Sequence, residues 1–112
     1  MKNKKYPQRY DIYFADLNLT IGSEIQKIRP VVIVSQNVMN QHLETIVVCP
    51  LTIKIHPMWR SRIQIDCAGK PSEIAVDQIR TISKLRLKNK IDSLSNETAA
   101  QLRFIITEIY GE

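Results

Sequence analysis

The stretch RPVVIVS at residues 29–35 is the part of the sequence that best defines the fold. A proline is tolerated where a strand begins, and the apolar, β-branched run that follows it predicts a buried strand. Upstream, DIYFAD at residues 11–16 places Ile12 and Phe14 on one face, which is the alternation of a half-buried first strand. Downstream, the apolar run from Thr45 to Leu51 predicts a third strand.

The segments between these strands are polar. A loop from Leu17 to Ile28 joins the first two strands, and an Asn-rich connection at Asn37–Asn40 joins the next two. The segment from Lys54 to Arg62 mixes cations with an aromatic residue and has no helical period, which predicts an exposed loop. All three strands should therefore be connected at the surface.

The remaining residues predict a hairpin and a helix. Residues Arg62–Asp66 alternate, Ala68–Ser72 contains turn residues, and Glu73–Ile82 has strand composition again. A helix should begin after Ser95 as N-cap and end at Gly111. Its apolar face is predicted to hold Ala99, Leu102, Ile105, Ile106 and Ile109. Residues 1–112 should thus form one domain, mainly β with α, as a small, strongly bent barrel with the helix packed on the sheet.

The composition favours a polyanionic partner. The 112 residues include 16 Lys and Arg against 11 Asp and Glu, which gives a net charge of +5 and a pI near 9.4. We find no signal-peptide core and no run approaching the roughly 18 apolar residues of a membrane helix, so we expect a cytoplasmic protein that uses no membrane. Cys49 and Cys67 lack metal-site or disulfide spacing; we predict no metal or cofactor, and a buried Cys49.

Several strings, in order and spacing, resemble the MazF/PemK toxins of type II toxin-antitoxin systems. These strings are DIYFADL at residues 11–17, GSE at 22–24, RPVVIVS at 29–35, PLT at 50–52 and DQIRT at 77–81. The similarity continues into the residues that precede the terminal helix, so it covers nearly the whole chain. It implies a small SH3-like, CcdB/PemK-like bent β-barrel with a C-terminal helix.

The resemblance also implies an activity and partners. Such toxins are endoribonucleases that cut single-stranded RNA, mainly mRNA, at a short sequence, work as homodimers and are held inactive by a small acidic antitoxin. They need no metal, because the RNA 2′-OH itself attacks the adjacent phosphate and leaves 2′,3′-cyclic phosphate and 5′-OH ends. The protein has to stabilise charge on the phosphoryl oxygens, orient the attack and assist proton transfer.

By this resemblance the catalytic residues are Arg29, Thr52 and Glu24. The planar fork of Arg29 suits two phosphate oxygens, and Arg is a better charge stabiliser than proton donor. Thr52 could donate a hydrogen bond to the phosphate, and Glu24 could accept the 2′-OH proton or contact a base. Taken without the resemblance, these residues would be a surface ion pair, an ordinary strand threonine and a solvated loop charge. Water or the substrate could also take the proton.

The predicted RNA-binding residues are Ser23, Gln78, Lys54, Trp59 and Arg60. Lys54 and Arg60 could follow the RNA backbone while Trp59 stacks on a base. Trp59 could equally cover the core or a dimer interface. Gln78 could read a base edge, although a structural role is an alternative.

Asp77 and Arg80 are predicted to give structural support. An Asp in a strand is costly unless it is hydrogen-bonded, so Asp77 should have a defined partner, and Arg80 could pair with Asp77 or Asp11. His42 and His56 lie outside the shared strings and receive no catalytic role.

The chain departs from the family pattern at three positions. Tyr10 stands where the family usually has Gly, so the local turn is expected to differ. Ser23 and Ala75 stand where the PemK branch has a catalytic His and Arg, so the branch that relies on Arg29 and Thr52 fits better. The alternative function is a non-enzymatic CcdB-like toxin that binds a protein such as gyrase, and a third class is a plain RNA-binding barrel.

Overall fold

The computed structural model describes residues 5–17 and 28–111. Seven strands and two helices lie within this part of the chain. They are β1 (Asp11–Asp16), β2 (Ile28–Ile33), α1 (Asn37–His42), β3 (Thr45–Thr52), β4 (Arg62–Cys67), β5 (Lys70–Ala75), β6 (Arg80–Ser83), β7 (Leu87–Ser93) and α2 (Asn96–Tyr110), with short 3-10 turns at Val76–Gln78 and Lys84–Arg86. The predicted mainly-β class with a terminal helix is confirmed.

The strands form one curled antiparallel sheet in the order β4-β5-β3-β2-β1-β7, with β6 also paired to β3. On one edge β3 pairs with β2. On the other edge it pairs with β6 near its start and with β5 at its end. The strand predicted over Glu73–Ile82 is therefore two strands, because the 3-10 turn at Val76–Gln78 interrupts the pairing.

The two faces of the sheet each bury apolar side chains. The face covered by α2 forms the helix-covered core, which we define by the buried residues Ile12, Val32, Val34, Cys49, Leu51, Ile63, Cys67, Ile74, Val76, Leu102 and Ile105. The opposite face holds a second cluster of Ala15, Leu17, Val31, Ile33, Ile46, Val48 and Ile82. The apolar run of β2 contributes to both clusters, as a strand buried on both faces should. The predicted burial of Cys49 is confirmed.

Helix α2 has the predicted ends. The Ser95 hydroxyl accepts a hydrogen bond from the Thr98 N–H at 3.1 Å, and Gly111 follows the last turn as C-cap. A Cβ at Gly111 would lie 2.6 Å from the Thr107 carbonyl oxygen, so this position requires glycine. The predicted apolar face is correct except at its end, where Ile109 is 38% exposed.

Two elements were not predicted. A single helical turn, α1, replaces the expected Asn-rich connection, and the Lys84 ammonium donates to its carbonyls at Asn40 and Leu43. Strand β7 pairs with β1 and has largely exposed side chains. Its sequence, LKNKIDS, shows no apolar alternation because it lies at the end of the sheet.

Tyr10 keeps the backbone conformation of a glycine. Its φ is 74°, in the left-handed region. The Tyr10 N–H donates to the Ile33 carbonyl at 2.6 Å, and the Leu94 N–H donates to the Tyr10 carbonyl at 2.9 Å. The guanidinium of Arg103 also donates to the Tyr10 hydroxyl. These contacts offset the strain of a side chain at this φ, so the turn before β1 retains a geometry that glycine favours.

Neither helix of the described chain has the length and apolar character needed to cross a membrane. The predicted sites at Ser23 and Glu24 lie outside the described residues. The other predicted site residues lie on the sheet, in the 3-10 turn at Val76–Gln78 and in the connection between β3 and β4.

Candidate functional site

The strand register brings Arg29 and Thr52 to the same level of the sheet. Val31 of β2 is the register partner of Pro50 of β3. Carrying this antiparallel register further along both strands puts Arg29 opposite Thr52, and residues opposite each other project from the same face. Arg29 is exposed and Thr52 is half-buried. Arg29 and Thr52, predicted from separate strings, thus project from the same face of the sheet, each two residues beyond the last paired positions, Val31 and Pro50.

Thr52 has an available donor. Its hydroxyl oxygen accepts a hydrogen bond from the Lys54 N–H at 3.1 Å. Because this bond uses one lone pair, the hydroxyl hydrogen remains free to donate to a phosphate oxygen. The same bond fixes the position of the side chain at the strand end.

Glu73 extends this arrangement across the sheet. It is the register partner of Thr52 on one side and of Gln64 on the other. Arg29, Thr52, Glu73 and Gln64 thus form a row across β2, β3, β5 and β4, which we call the polar row. It lies on the face opposite α2. The Glu73 side chain is 0% exposed and accepts a 2.7 Å hydrogen bond from the Gln64 amide.

Arg62 connects the polar row to Asp77. Its Nη1 donates to Glu73 Oε2 at 2.7 Å, and its Nε donates to Asp77 Oδ1 at 2.8 Å. Ser61 also donates to Asp77 Oδ1, at 2.8 Å. Arg62 is the buried first residue of β4, as the strand predicted from Arg62 requires, so only its inclusion in the exposed loop was wrong.

The expected partner of Asp77 exists but is a different residue. Asp77 pairs with Arg62, and Asp11 pairs with Lys90 at 3.4 Å, so neither carboxylate pairs with Arg80. Asp77 and Gln78 lie in the 3-10 turn and not in a strand, which corrects their predicted context. Gln78 is exposed there. Arg80 opens β6 opposite Val48.

The hydrogen bonds set the charges of this group. Burial acts to raise the pKa of the Glu73 carboxyl, but bonds from the His56 N–H, Arg62, Gln64 and the His56 ring outweigh it and lower the pKa to about 2. Burial likewise acts to raise the Asp77 pKa, and the bonds from Arg62 and Ser61 lower it below the ordinary value. The bond to Asp77 is the main cause of a raised Arg62 pKa. Both carboxylates are therefore ionised at neutral pH.

The loop between β3 and β4, residues 53–61, which we call the β3–β4 loop, carries an aromatic stack. The ring centroids of His56 and Trp59 lie 3.9 Å apart, and the Arg62 guanidinium lies 4.6 Å from the Trp59 centroid. Trp59 is 49% exposed. The predicted RNA-binding cations of this loop, Lys54 and Arg60, are exposed, and Arg60 makes a surface ion pair with Glu108 at 3.5 Å. Within residues 5–17 and 28–111, no three His, Cys, Asp or Glu side chains come together as a metal site would require.

Comparison with known proteins identifies the family. Residues 8–110 match the model of the PemK-like, MazF-like toxins of type II toxin-antitoxin systems. The chain belongs to this family. It is 36% identical to endoribonuclease EndoA of Bacillus subtilis over 95 residues, which covers 80% of this chain and 82% of the relative. It is 37% identical to endoribonuclease MazF of Staphylococcus saprophyticus over 98 residues, covering 80% and 79%. The protein is thus a MazF-type endoribonuclease toxin.

Solved MazF structures share the fold. The Mycobacterium tuberculosis toxin MazF-mt6 superposes with a TM-score of 0.75 at 25% identity, covering 88% of this chain and 93% of that one. The Deinococcus radiodurans MazF in a MazE-MazF structure gives a TM-score of 0.81 at 16% identity, covering 94% and 96%. A mycobacterial endoribonuclease in complex with its cognate antitoxin gives 0.77 at 21% identity, covering 94% and 95%. The CcdB/PemK-like bent barrel predicted from the sequence is confirmed.

Sequence reasoning missed Glu73 and the buried role of Arg62. The signal for Glu73 was a charged residue inside the strand SEIA, the same cue that identified Asp77. Arg62 gave no such signal because it follows a run of exposed cations. His56 also belongs to this group, because its backbone N–H and its ring both contact Glu73.

Proposed function

We propose that this toxin cuts single-stranded RNA, mRNA in the cell, at a short sequence without a metal ion, leaving 2′,3′-cyclic phosphate and 5′-OH ends. The observation that supports the proposal is the register of β2 and β3, which, continued by two residues beyond Val31 and Pro50, puts Arg29 and Thr52 on one face. An exposed guanidinium beside a hydroxyl donor suits a phosphodiester whose charge increases during attack by its own 2′-OH.

Each residue has one task in this mechanism. Arg29 holds two phosphoryl oxygens and stabilises the developing charge, while Thr52 donates a hydrogen bond that keeps the phosphate in line for attack. Glu24 accepts the 2′-OH proton. The leaving 5′-oxygen takes its proton from water, since neither Arg29 nor Thr52 is a ready acid.

The RNA outside the scissile bond is held by weaker contacts. The exposed cations Lys54 and Arg60 follow the backbone, and Trp59 stacks on a base. Ser23 and Gln78 contact base edges and contribute to the choice of sequence. Asp77 and Arg80 support the site and do not touch RNA.

We also propose a homodimer that acts in the cytoplasm and is inhibited by an acidic antitoxin. The mycobacterial relative is described in complex with its cognate antitoxin, and the Deinococcus relative with MazE. A net charge of +5 favours an acidic inhibitor that covers the RNA-binding surface.

The test is cleavage of a long single-stranded RNA in EDTA, with the new ends mapped. Arg29→Ala should lower kcat by about 10²- to 10³-fold, as loss of a transition-state donor does. Thr52→Val should lower it by about tenfold or more, and Thr52→Ser should recover most of that loss. The controls are Lys70→Ala, which removes one exposed charge from the β4–β5 hairpin, and Thr45→Val, the same change at the other end of β3.

The outcome separates the functional classes. Fragments with 5′-OH ends, lost in the site variants and retained in both controls, would support the proposal. Growth inhibition in cells that survives Arg29→Ala and Thr52→Val, with no cleavage by wild type, would reject it in favour of a CcdB-like protein-binding toxin. RNA binding with neither cleavage nor toxicity would indicate a plain RNA-binding barrel.

A further inference from the structure

Glu73 is a buried carboxylate to which the mechanism above assigns no task. It accepts hydrogen bonds from the His56 N–H at 2.6 Å, the Gln64 amide at 2.7 Å and the Arg62 guanidinium at 2.7 Å. Its side chain is 0% exposed. A buried ion pair is seldom more stable than an apolar pair of similar volume, so stability alone is a weak reason for this arrangement.

The carboxylate holds the β3–β4 loop at its middle. The bond from the His56 N–H spans 17 residues of sequence and ties the loop to β5. The larger apolar side chains of the loop give no comparable anchor, because Ile53 is 79% and Met58 88% exposed. Within the loop, the backbone N–H of Trp59 donates to the backbone carbonyl of His56 at 3.1 Å, so the position of Trp59 depends on that of His56.

His56 and Arg62 cover one face of the Trp59 ring and leave the other face available. His56 Nδ1 lies 3.3 Å from Arg62 Nη1, so the imidazole and the guanidinium are neighbours. The His56 ring lies 3.9 Å and the Arg62 guanidinium 4.6 Å from the Trp59 ring centroid. If they lay on opposite faces of the indole, they could not approach each other so closely. Both groups therefore cover the same face. The exposed half of Trp59 therefore belongs to the other face and the ring edge.

The polar row determines where the Trp59 ring lies relative to Arg29 and Thr52, the residues proposed to hold the phosphate. Glu73 is the register partner of Thr52, and Thr52 also accepts the Lys54 N–H at the start of the loop. The loop is thus attached at Thr52 and again at Glu73, on the neighbouring strands β3 and β5. A base next to a phosphate held by Arg29 and Thr52 would meet a ring whose position depends on these two attachments and on the Arg62 backbone N–H, which donates to the Trp59 carbonyl at 3.3 Å.

We propose that Glu73, with Arg62, is a positioning residue for RNA: its carboxylate fixes the β3–β4 loop so that the free face of Trp59 stacks on a base beside the scissile phosphate. This inference rests on the proposed RNA-cleaving function and deepens it, because it names the residue that sets the stacking platform. Glu73 itself touches neither RNA nor the reacting atoms.

Trp59 is the only tryptophan in the sequence, so its fluorescence reports the loop directly. Glu73→Gln keeps the side-chain shape but removes the negative charge. That charge strengthens the hydrogen bonds from Arg62 and from the His56 backbone N–H. Without RNA, the variant should show a red-shifted emission and stronger acrylamide quenching than wild type. Glu44→Gln, the same change at an exposed residue, should show neither. His56→Ala, which removes the stacked ring but not the buried carboxylate, is a second variant and should give a smaller shift.

Binding and cleavage are measured separately. The binding probe is a pool of random-sequence 2′-O-methyl RNA 12-mers, which lack the attacking hydroxyl and should quench Trp59 in wild type. With cleavable single-stranded RNA, Glu73→Gln should raise KM about tenfold and change kcat less than about twofold, because base stacking contributes to binding on this scale. In a Trp59→Ala background, Glu73→Gln should add no further increase in KM.

The outcomes are distinct. Unchanged emission and KM in a folded Glu73→Gln variant would overturn the inference, and so would a KM increase that adds fully to that of Trp59→Ala, since Glu73 would then act elsewhere. If wild type does not cut RNA but the 2′-O-methyl pool quenches Trp59 and Glu73→Gln weakens that binding, the nuclease proposal fails and the positioning role stands.

Discussion

The helix-covered core and the polar row occupy opposite faces of one sheet and are held by different kinds of interaction. The core is a set of apolar side chains, each with many weak contacts that depend little on direction. The polar row depends on a few directional bonds, such as those that Glu73 accepts from three residues. A change in the core should therefore act mainly on stability, whereas a change in the polar row should alter RNA binding as well as the dependence of stability on pH.

The largest stability effect is expected in the core. Leu102 of α2 is fully buried, and Leu102→Ala should lower the free energy of unfolding by about 2–5 kcal/mol through lost burial and a residual cavity. Urea denaturation measures this change. Phe104→Ala on the same helix is the control, because Phe104 is 65% exposed and its loss should cost about 0.5 kcal/mol or less.

The activity of Leu102→Ala tests whether the two faces of the sheet act independently. At a temperature where the variant is folded, its kcat/KM on single-stranded RNA should match that of wild type. A large loss of activity in the folded variant would mean that the core and the polar row are coupled, and the division between the two faces would be wrong.

The second effect is acid sensitivity from the polar row. The Glu73 pKa is lowered from 4.5 to about 2, so this carboxylate contributes stability that is complete above pH 4.5 and is lost as pH falls towards 2. The lowered pKa values of Asp77 and Asp92 act in the same direction. Urea midpoints measured from pH 7 to pH 3 should fall in wild type and fall less steeply in Glu73→Gln, whose side chain does not titrate.

Glu44→Gln serves as the control for this titration, because Glu44 is exposed and makes none of these bonds. Its midpoints should follow those of wild type across the whole range. Parallel curves for wild type and Glu73→Gln would show that the buried carboxylate does not contribute to the acid side of the profile.

The two faces also differ in how far the sequence predicts them. The strand bounds at Asp11–Asp16 and the ends of α2 follow from local signals: alternation, a Ser N-cap and a Gly C-cap. Two strands escaped these signals for physical reasons. The largely exposed end strand β7 needs no apolar alternation, and a 3-10 turn divides β5 from β6 within a segment whose composition is that of one strand.

The sequence predicts the site residues that lie in strings shared with the family. It does not predict the contacts that arise when distant strands pair. Arg29 and Thr52 came from separate strings, but their alignment depends on the β2–β3 register, which local sequence does not encode. The bonds of Arg62 to Glu73 and Asp77 join residues 11 and 15 positions apart. Local sequence periodicity does not predict such a pair, because the two residues come together only when the strands pair.

A third effect tests how well the core excludes solvent. Burial, and to a smaller extent the charge of Asp77, raises the pKa of the Cys49 thiol to about 12. In a Cys67→Ser background, Cys49 should react with iodoacetamide at pH 8 at least about a hundredfold more slowly in native protein than in urea. Mass spectrometry follows the reaction. Equal rates in the two states would place Cys49 in an open part of the sheet.

The smallest stability effect is expected at Arg60, in the loop between β3 and β4. Its side chain is 90% exposed and pairs at 3.5 Å with Glu108 of α2, which is 48% exposed, so the pair should contribute between about 0 and 1 kcal/mol. If Arg60 instead serves the RNA backbone, Arg60→Ala should leave the urea midpoint nearly unchanged. It should also reduce the slope of log binding constant against log salt by about 0.7 for single-stranded RNA.

Arg103→Ala is the matched control, because Arg103 is also an exposed arginine and its guanidinium contacts Tyr10 rather than the β3–β4 loop. Its salt slope should equal that of wild type. A lower slope for Arg60→Ala alone would assign Arg60 to the RNA-binding surface. Equal slopes for both variants, with a lower midpoint for Arg60→Ala, would instead make Arg60 a support for α2, and the RNA-binding surface would then end at Trp59.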